Sequence, residues 1–170
     1  FYILIMRLLI ILTALILFLP HHALADIVVI VNPRSSITAL THHQIIDIYM
    51  GRNPGLANDQ KLQPYDQALD STIRSEFYYG ITGKPVSAIN AYWARLLFTG
   101  RASPPKSVAN DDAILAIIEK NPIAIGYLDK RYLNDQVTVV YTIKRQNQEK
   151  PDTELQNTHL SDTLPVTEKP

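Results

Sequence analysis

Between residues 26 and 143, continuous runs of apolar residues alternate with segments in which apolar residues recur at helical spacing. The first run, residues 26–31 (DIVVIV), is continuous and β-branched, which is typical of a strand buried on both faces of a sheet. Shorter runs predict three more strands, at residues 62–65, 123–128 and 137–143. Strands that alternate with helical segments indicate a three-layer α/β sandwich with a mixed, mostly parallel sheet.

Capping signals delimit the predicted helices between these strands. Thr41 with Gln44 three residues later forms a capping box, and Gly51 is a suitable C-terminal stop. A proline suits the first turn of a helix, because the N–H that it lacks would have no partner within the helix there. The four predicted helices begin at Thr41, at Asp70 or Ser71, at Pro85, and at Asp111 or Asp112, and they end at Gly51, Gly80, Gly100 and Asn121.

The two ends of the chain differ from this domain in composition. Residues 6–25 (MRLLIILTALILFLPHHALA) have one early arginine, an apolar run and an A-x-A site, which predicts a cleavable signal peptide and a periplasmic protein. Residues 1–5 precede the expected start and are interpreted as an upstream extension. Residues 144–170 contain few apolar side chains and three prolines, a composition typical of a disordered tail. Residues 26–143 therefore form the predicted domain.

Charge and cysteine content narrow the classes of function. The formal net charge is zero and no cysteine is present, so nothing favours nucleic-acid binding, and disulfides and thiolate metal sites are excluded. His42 and His43 are adjacent on a predicted helix and point about 100° apart, so they do not share a metal ion. We expect no metal site and no cofactor.

Catalytic patterns are also missing from the sequence. Ser71 lacks the Gly-x-Ser-x-Gly surroundings of a nucleophile elbow. Asp66 and Asp70 are four residues apart, but they flank a predicted turn and a helix cap, where aspartate has ordinary structural roles. We therefore expect a protein that is not an enzyme.

Anion binding is a better match to one segment, PYDQALDSTIRSEFYYG. Ser71 and Thr72 lie at a predicted helix start, where unpaired backbone N–H groups and the helix dipole attract anions. Arg74 lies one turn further and is suited to bidentate contact with an oxyanion. The alternative is structural: Ser71 only caps the helix, and Arg74 pairs with a carboxylate at the surface.

Four segments in order resemble the substrate-binding proteins of phosphate ABC importers, which have the type 2 periplasmic-binding-protein fold. The segments are LTHHQIIDIYMGR (residues 40–52), PYDQALDSTIRSEFY (64–78), AYWARLLFTGR (91–101) and IIEKNPIAIGYLD (117–129). The second occupies the place of the loop and helix start that grip phosphate in that family. The third resembles a tryptophan-containing helix of the small family members. The resemblance covers nearly all of the predicted domain.

This resemblance implies one lobe of a type 2 fold that binds phosphate or a similar oxyanion in the periplasm for an ABC importer. It implies a site made of the helix start and the loop after the first strand. The site residues would be Ser71, Thr72, Arg74, Asn32, Ser35 and Ser36. The expected partners are the anion and an importer membrane subunit or another periplasmic protein.

Two departures from the family pattern favour a second hypothesis. Thr72 stands where the family has a glycine, and Asp66 lies near the place of a missing arginine, where its charge would repel phosphate. The chain is also long enough for only one lobe. The alternative is an interaction module that keeps the fold and presents Trp93, Tyr92 and Phe98, or its tail, to a partner protein.

Overall fold

The computed structural model describes residues 25–56 and 61–145. The predicted signal peptide and most of the predicted tail lie outside these residues. The strands are β1 (Ile27–Val31), β2 (Gln63–Asp66), β3 (Lys106–Ser107), β4 (Ala124–Asp129) and β5 (Thr138–Ile143). The helices are α1 (His42–Tyr49), α2 (Thr72–Thr82), α3 (Val86–Phe98) and α4 (Asp111–Lys120), with a 3-10 turn at Lys130–Tyr132.

The five strands form one sheet in the order β3-β2-β4-β1-β5. β2 pairs in parallel with β3 and β4, whereas β1 runs antiparallel to both β4 and β5. Four strands therefore point in one direction and β1 points in the other. The expectation of a mixed, mostly parallel sheet is confirmed, and β1 is buried along its whole length, as its apolar run predicts.

Helices cover both faces of the sheet and complete three layers. On one face, α1, α2 and α3 pack against alternate residues of β1 such as Val29, and against Tyr127 of β4. On the other face, α4 packs against Val28 and Leu128. The approach of α4 requires Gly126 in β4, because a Cβ there would lie 2.7 Å from Cγ2 of Ile114.

Helix α1 begins and ends where its sequence predicts. The Thr41 side chain accepts a hydrogen bond from the Gln44 N–H at 3.2 Å, and the Gln44 side chain accepts one from the Thr41 N–H at 2.9 Å. After the helix, Gly51 has φ +68° and lies beneath Trp93. A Cβ at this position would come within 2.8 Å of the Trp93 ring, so both the backbone angle and the contact require glycine.

Other boundaries differ from the prediction for local reasons. Asn110 caps α4 through the Ala113 N–H, and Asp111 is the first helical residue. Helix α2 continues through Gly80 and ends before Gly83, which has φ +66°. Strand β3 has only two residues, both exposed, so it carries no apolar pattern from which it could be predicted.

The contacts of the domain extend two residues past its predicted end at Ile143. Lys144 pairs with Asp26 at 3.3 Å. The side chain of Arg145 is 8% exposed and pairs with Asp129 at 2.6 Å and with Glu76 at 2.7 Å. These contacts join the end of β5 to β4 and α2.

Candidate functional site

Two helices begin at the edge of the sheet where the parallel strands end. β2 ends at Asp66 and leads through a short loop to α2, and β3 leads in the same way to α4. Because β2, β3 and β4 are parallel, their carboxyl ends meet at this edge. Ligands of open α/β sheets bind at such edges, and this edge is therefore the natural place for a site.

The start of α2 is open. Ser71 is the N-cap residue, yet its hydroxyl makes no capping hydrogen bond, and no acidic side chain lies in the first turn. Thr72 is exposed. The first N–H groups of a helix have no partner within it, so this turn offers backbone donors, and no carboxylate of the described residues accepts from them.

Arg74 lies in the first turn of α2 and is 3% exposed. Its Nε donates to Oδ2 of Asp66 at 2.8 Å, and its guanidinium lies over the Tyr78 ring at 5.0 Å. Its Nη1 is buried and has no hydrogen-bond partner in the described part of the chain. The structural alternative for Arg74 therefore holds in part: it pairs with a carboxylate, but with Asp66 in the interior rather than with a surface residue.

Asp66 is the centre of a buried polar network. Its Oδ2 accepts from Arg74 and from the Tyr78 hydroxyl at 3.1 Å, while its Oδ1 accepts from the Gln67 N–H at 2.9 Å and from the Tyr127 hydroxyl. Burial and the nearby Asp66 carboxylate raise the pKa of both tyrosines well above the usual value, so both hydroxyls remain donors. The charge of Asp66 is therefore matched internally by Arg74.

The loop after β1 lies at the opposite edge of the sheet. β1 runs against its neighbours, so Val31 pairs with Ile125 near the start of β4, whereas Asp66 reaches Tyr127 near its end. Asn32 is 2% exposed and donates to the carbonyls of Ile118 and Glu119, both at 2.8 Å. Its amide closes the end of α4.

Ser35 and Ser36 lie in the same loop. Ser35 donates its N–H to the Asn32 carbonyl at 2.9 Å, and its hydroxyl accepts from the Ile37 N–H at 3.3 Å. Ser36 is exposed beside it. Because β1 runs antiparallel to β4, the structure does not bring Asn32, Ser35 and Ser36 to the start of α2. The apolar pattern of β1 carries no information about strand direction, so the sequence could not predict this.

The start of α4, in contrast, is closed by side chains of the chain itself. Asn110 caps it, and Oδ1 of Asp111 accepts from Nε2 of Gln67 at 3.0 Å and from the Asp129 N–H at 3.2 Å. Burial raises the pKa of the Asp111 carboxyl. Gln67 is 1% exposed, and it is absent from the residues predicted from the sequence. The sequence signal that could have identified Gln67 as a site residue is its position just after a predicted strand.

Asp129, at the end of β4, carries the second charged network of this edge. Arg131 and Arg145 contact its carboxylate, at 2.9 Å and 2.6 Å. Burial acts to raise the pKa of Asp129, but the hydrogen bonds from Arg131 and Arg145 outweigh it and lower the pKa to about 2. This carboxylate therefore stays ionised and paired.

His42 and His43, which are adjacent on α1, have different partners. Nδ1 of His42 lies 2.7 Å from the Tyr141 hydroxyl, while Nε2 of His43 lies 3.2 Å from Asp47. No group of three or more His, Asp or Glu side chains within residues 25–56 and 61–145 is arranged to hold a metal ion. The helices of these ranges are all too short or too polar to span a bilayer.

Comparison with known proteins finds similarity in fold. An ABC-type phosphate transport receptor from Vibrio cholerae superposes with a TM-score of 0.54 and 19% identity, covering 69% of this chain and 46% of the receptor. A protein from Clostridium perfringens, described as a phosphate ABC transporter substrate-binding protein and solved with bound phosphate, gives 0.53 and 22%, covering 69% of this chain and 45% of that one.

A candidate phosphate-binding protein from Planctomyces limnophilus gives a TM-score of 0.52 and 16% identity, covering 69% of this chain and 41% of that chain. No protein-family model matches the chain, and no curated protein matches its sequence. The chain thus spans less than half the length of these structures. Its domain is similar in fold to one part, about a lobe, of ABC-type phosphate receptors.

Proposed function

We propose that this domain is a phosphate-binding, or more broadly oxyanion-binding, lobe of the ABC-importer type, and that it is not an enzyme. The anion would rest on the first turn of α2, with the backbone at Ser71 and Thr72 and the Arg74 guanidinium as donors. One observation carries the proposal: Nη1 of Arg74 is a buried donor without a hydrogen-bond partner among the described residues, and Arg74 lies in the first turn of a helix whose N-cap side chain makes no capping bond.

The energetics of that donor favour a ligand. A buried polar group without a partner costs about 1–3 kcal/mol, and an anion that accepts a hydrogen bond from it removes this cost. The open first turn adds backbone donors and a favourable dipole at the same place. Since Arg74 already neutralises Asp66, the pair adds little net charge, and neutral backbone groups would contribute most of the attraction.

The proposed setting follows from the fold and the sequence together. Periplasmic location is supported by the signal-like residues 6–25, and an importer membrane subunit is the proposed partner because the proteins of similar fold include an ABC-type transport receptor and an ABC transporter substrate-binding protein. The described domain offers donors from one side of the anion. We therefore expect a dissociation constant in the millimolar range for this domain alone, equivalent to about −4 kcal/mol.

Titration of the ¹⁵N-labelled chain of residues 26–170 with sodium phosphate, and separately with chloride at equal ionic strength, tests the proposal. Phosphate should shift the amide resonances of Ser71, Thr72 and Arg74, and chloride should not. Absence of a saturable phosphate-specific shift in this turn contradicts the proposal.

A proline scan of helix starts gives a matched control. Thr72→Pro removes one backbone donor at the first helical position, where proline is tolerated, and should weaken phosphate binding several-fold. Val86→Pro makes the same change at the start of α3 and should leave binding unchanged. Equal effects from the two variants would contradict binding at α2.

A second candidate function rests on a different observation. Of the three aromatic residues proposed for an interaction surface, Trp93 is buried and Tyr92 donates its hydroxyl to the Met50 carbonyl at 2.8 Å, but Phe98 is 94% exposed. An exposed phenylalanine at a helix end favours contact with another polypeptide. If phosphate fails to bind, an accessory interaction module becomes the better account.

A further inference from the structure

A basic and apolar surface lies at the end of α3 and in the segment that follows it. We call it the basic apolar face and define it by Arg95, Leu97, Phe98, Arg101 and Lys106, all of which are exposed. Phe98 is 94% exposed and Leu97 is 57% exposed. Two large apolar side chains next to each other in water, with cations on either side, are a common sign of a binding surface.

The cations of this face lack partners of opposite charge. Residues 77–110 contain four lysines and arginines and no aspartate or glutamate. None of the four forms an ion pair with a carboxylate of the described residues, whereas Arg52, Arg74, Arg131 and Arg145 each form at least one. The positive charge of the face is therefore available to an acidic partner.

A small pocket continues the face toward the core. It has a volume of about 180 Å³, and the side chain of Trp93, one helical turn before Leu97, forms part of its wall. Pro64, Pro104 and Pro105 form other parts. Since a cavity of about 150 Å³ accommodates a benzene molecule, this pocket is large enough for one aliphatic side chain.

The chain itself contains a segment of complementary chemistry. Residues 152–168, here the acidic segment, carry four aspartates and glutamates and no lysine or arginine. They also contain three leucines and a valine, which are apolar side chains that a small pocket can accept. The segment begins seven residues after Arg145, and these residues span up to about 25 Å when extended.

We infer that the acidic segment binds the basic apolar face of the same molecule. Its carboxylates would approach Arg95, Arg101 and Lys106, and a leucine would enter the pocket beside Trp93. Tethering raises the effective concentration of such a segment to the millimolar range, so even a weak contact is populated. A concave pocket favours a peptide over a lipid surface, which cannot enter it.

Paramagnetic broadening in the chain of residues 26–170 tests the inference. The chain has no cysteine, so Thr163→Cys provides a single attachment site for a nitroxide label within the acidic segment. At low ionic strength the label should selectively broaden the amide resonances of residues 93–106. Raising the salt to 1 M, where the Debye length is about 3 Å, should remove most of the broadening.

Charge reversal supplies the matched control. Arg101→Glu together with Phe98→Ser changes two exposed side chains and should reduce the broadening several-fold without loss of fold. Lys120→Glu reverses a charge that is also exposed, on α4 across the sheet, and should leave the broadening unchanged. Broadening that is uniform over the domain overturns the inference. So does broadening that the two charge-reversed chains reduce to the same extent.

Two further outcomes also overturn it. In a mixture of ¹⁵N-labelled chains without nitroxide and nitroxide-labelled chains without ¹⁵N, broadening as strong as in the doubly labelled chain would assign the contact to a second copy. If vesicles of phosphatidylglycerol shift residues 93–106 while the nitroxide does not broaden them, the face is a lipid-binding surface. Neither result depends on phosphate, so this inference and the proposed function can fail separately.

Discussion

The starts of α2 and α4 lie at the same edge of the sheet, yet they differ in what fills them. At α4, the Asn110 side chain accepts from the Ala113 N–H, and Asp111 and Asp112 lie in the first turn. At α2, Ser71 makes no capping bond, no carboxylate lies in the first turn, and the buried Asp66 is paired with Arg74. The comparison teaches that fold alone does not make a helix start a binding site, because side chains of the chain can occupy it first.

The largest expected effect concerns the buried pair beneath α2. Asp66→Asn would leave the Arg74 guanidinium buried without a counter-charge, and it should lower the free energy of unfolding by about 3–5 kcal/mol. Urea denaturation measures this change. Asp112→Asn, at the exposed first turn of α4, is the control and should change stability by less than about 0.5 kcal/mol.

The double variant Asp66→Leu, Arg74→Met sharpens this result. Replacing both members of a buried ion pair by apolar residues leaves no uncompensated charge and should recover much of the lost stability. A loss below about 1 kcal/mol for Asp66→Asn alone would mean that Arg74 finds another partner, in conflict with its burial.

The second-largest expected effect concerns the ion pairs of Arg145 at the end of β4. A chain that ends at Ile143 lacks Arg145, which contacts both Asp129 and Glu76. Its free energy of unfolding should fall by about 2 kcal/mol, since hydrogen bonds to charged groups contribute about 1.5–3 kcal/mol. A chain that ends at Arg145 is the control: it keeps both ion pairs, so it should lose less stability, relative to the longer chain, than the chain that ends at Ile143. Equal stability of the two truncated chains would contradict the assigned role of Arg145.

The third prediction is the pH dependence of the difference in unfolding free energy between the chain that ends at Ile143 and the chain that ends at Arg145. The folded-state pKa of Asp129 is about 2, below the unfolded value of about 3.9. A lowered carboxyl pKa contributes stability above the unfolded pKa, and this stability is lost as the pH falls through the folded pKa. The gap between the two truncated chains should therefore narrow between about pH 4 and pH 2. Urea titrations across this range measure it, and a constant gap would contradict pairing through Asp129.

The smallest effects compare the two helix starts directly. Asn110→Ala should cost about 1 kcal/mol, because it removes a capping acceptor, whereas Ser71→Ala should cost only a few tenths, because the Ser71 hydroxyl caps nothing. Thermal denaturation resolves the two. If Ser71→Ala is the more damaging change, the start of α2 is closed in solution and the comparison fails.

Local patterns in the sequence predicted most of the fold. The apolar run of β1 and the capping box at Thr41 each depend on neighbouring residues, and both are confirmed. The direction of β1 depends on its pairing with β4 and β5, which are distant in sequence, so the position of the Asn32 loop could not be derived from the pattern.

The candidate site was predictable only in part for the same reason. Ser71 and Thr72 are at a helix start because their neighbours specify one. The pairing of Arg74 with Asp66 and the link from Tyr127 to Asp66 join residues 8 and 61 positions apart, and no local periodicity brings them together. Arg145 lies in a polar stretch, and only its two carboxylate partners reveal that it is part of the domain.

The close contact between Gly51 and Trp93 has a practical consequence. Trp93 is the single tryptophan of the chain, and it lies both over the turn that ends α1 and in the wall of the pocket. Its emission wavelength therefore reports on one defined junction without any added dye. A shift of that emission on mutation, ligand addition or removal of the C-terminal residues would locate the disturbance at this junction.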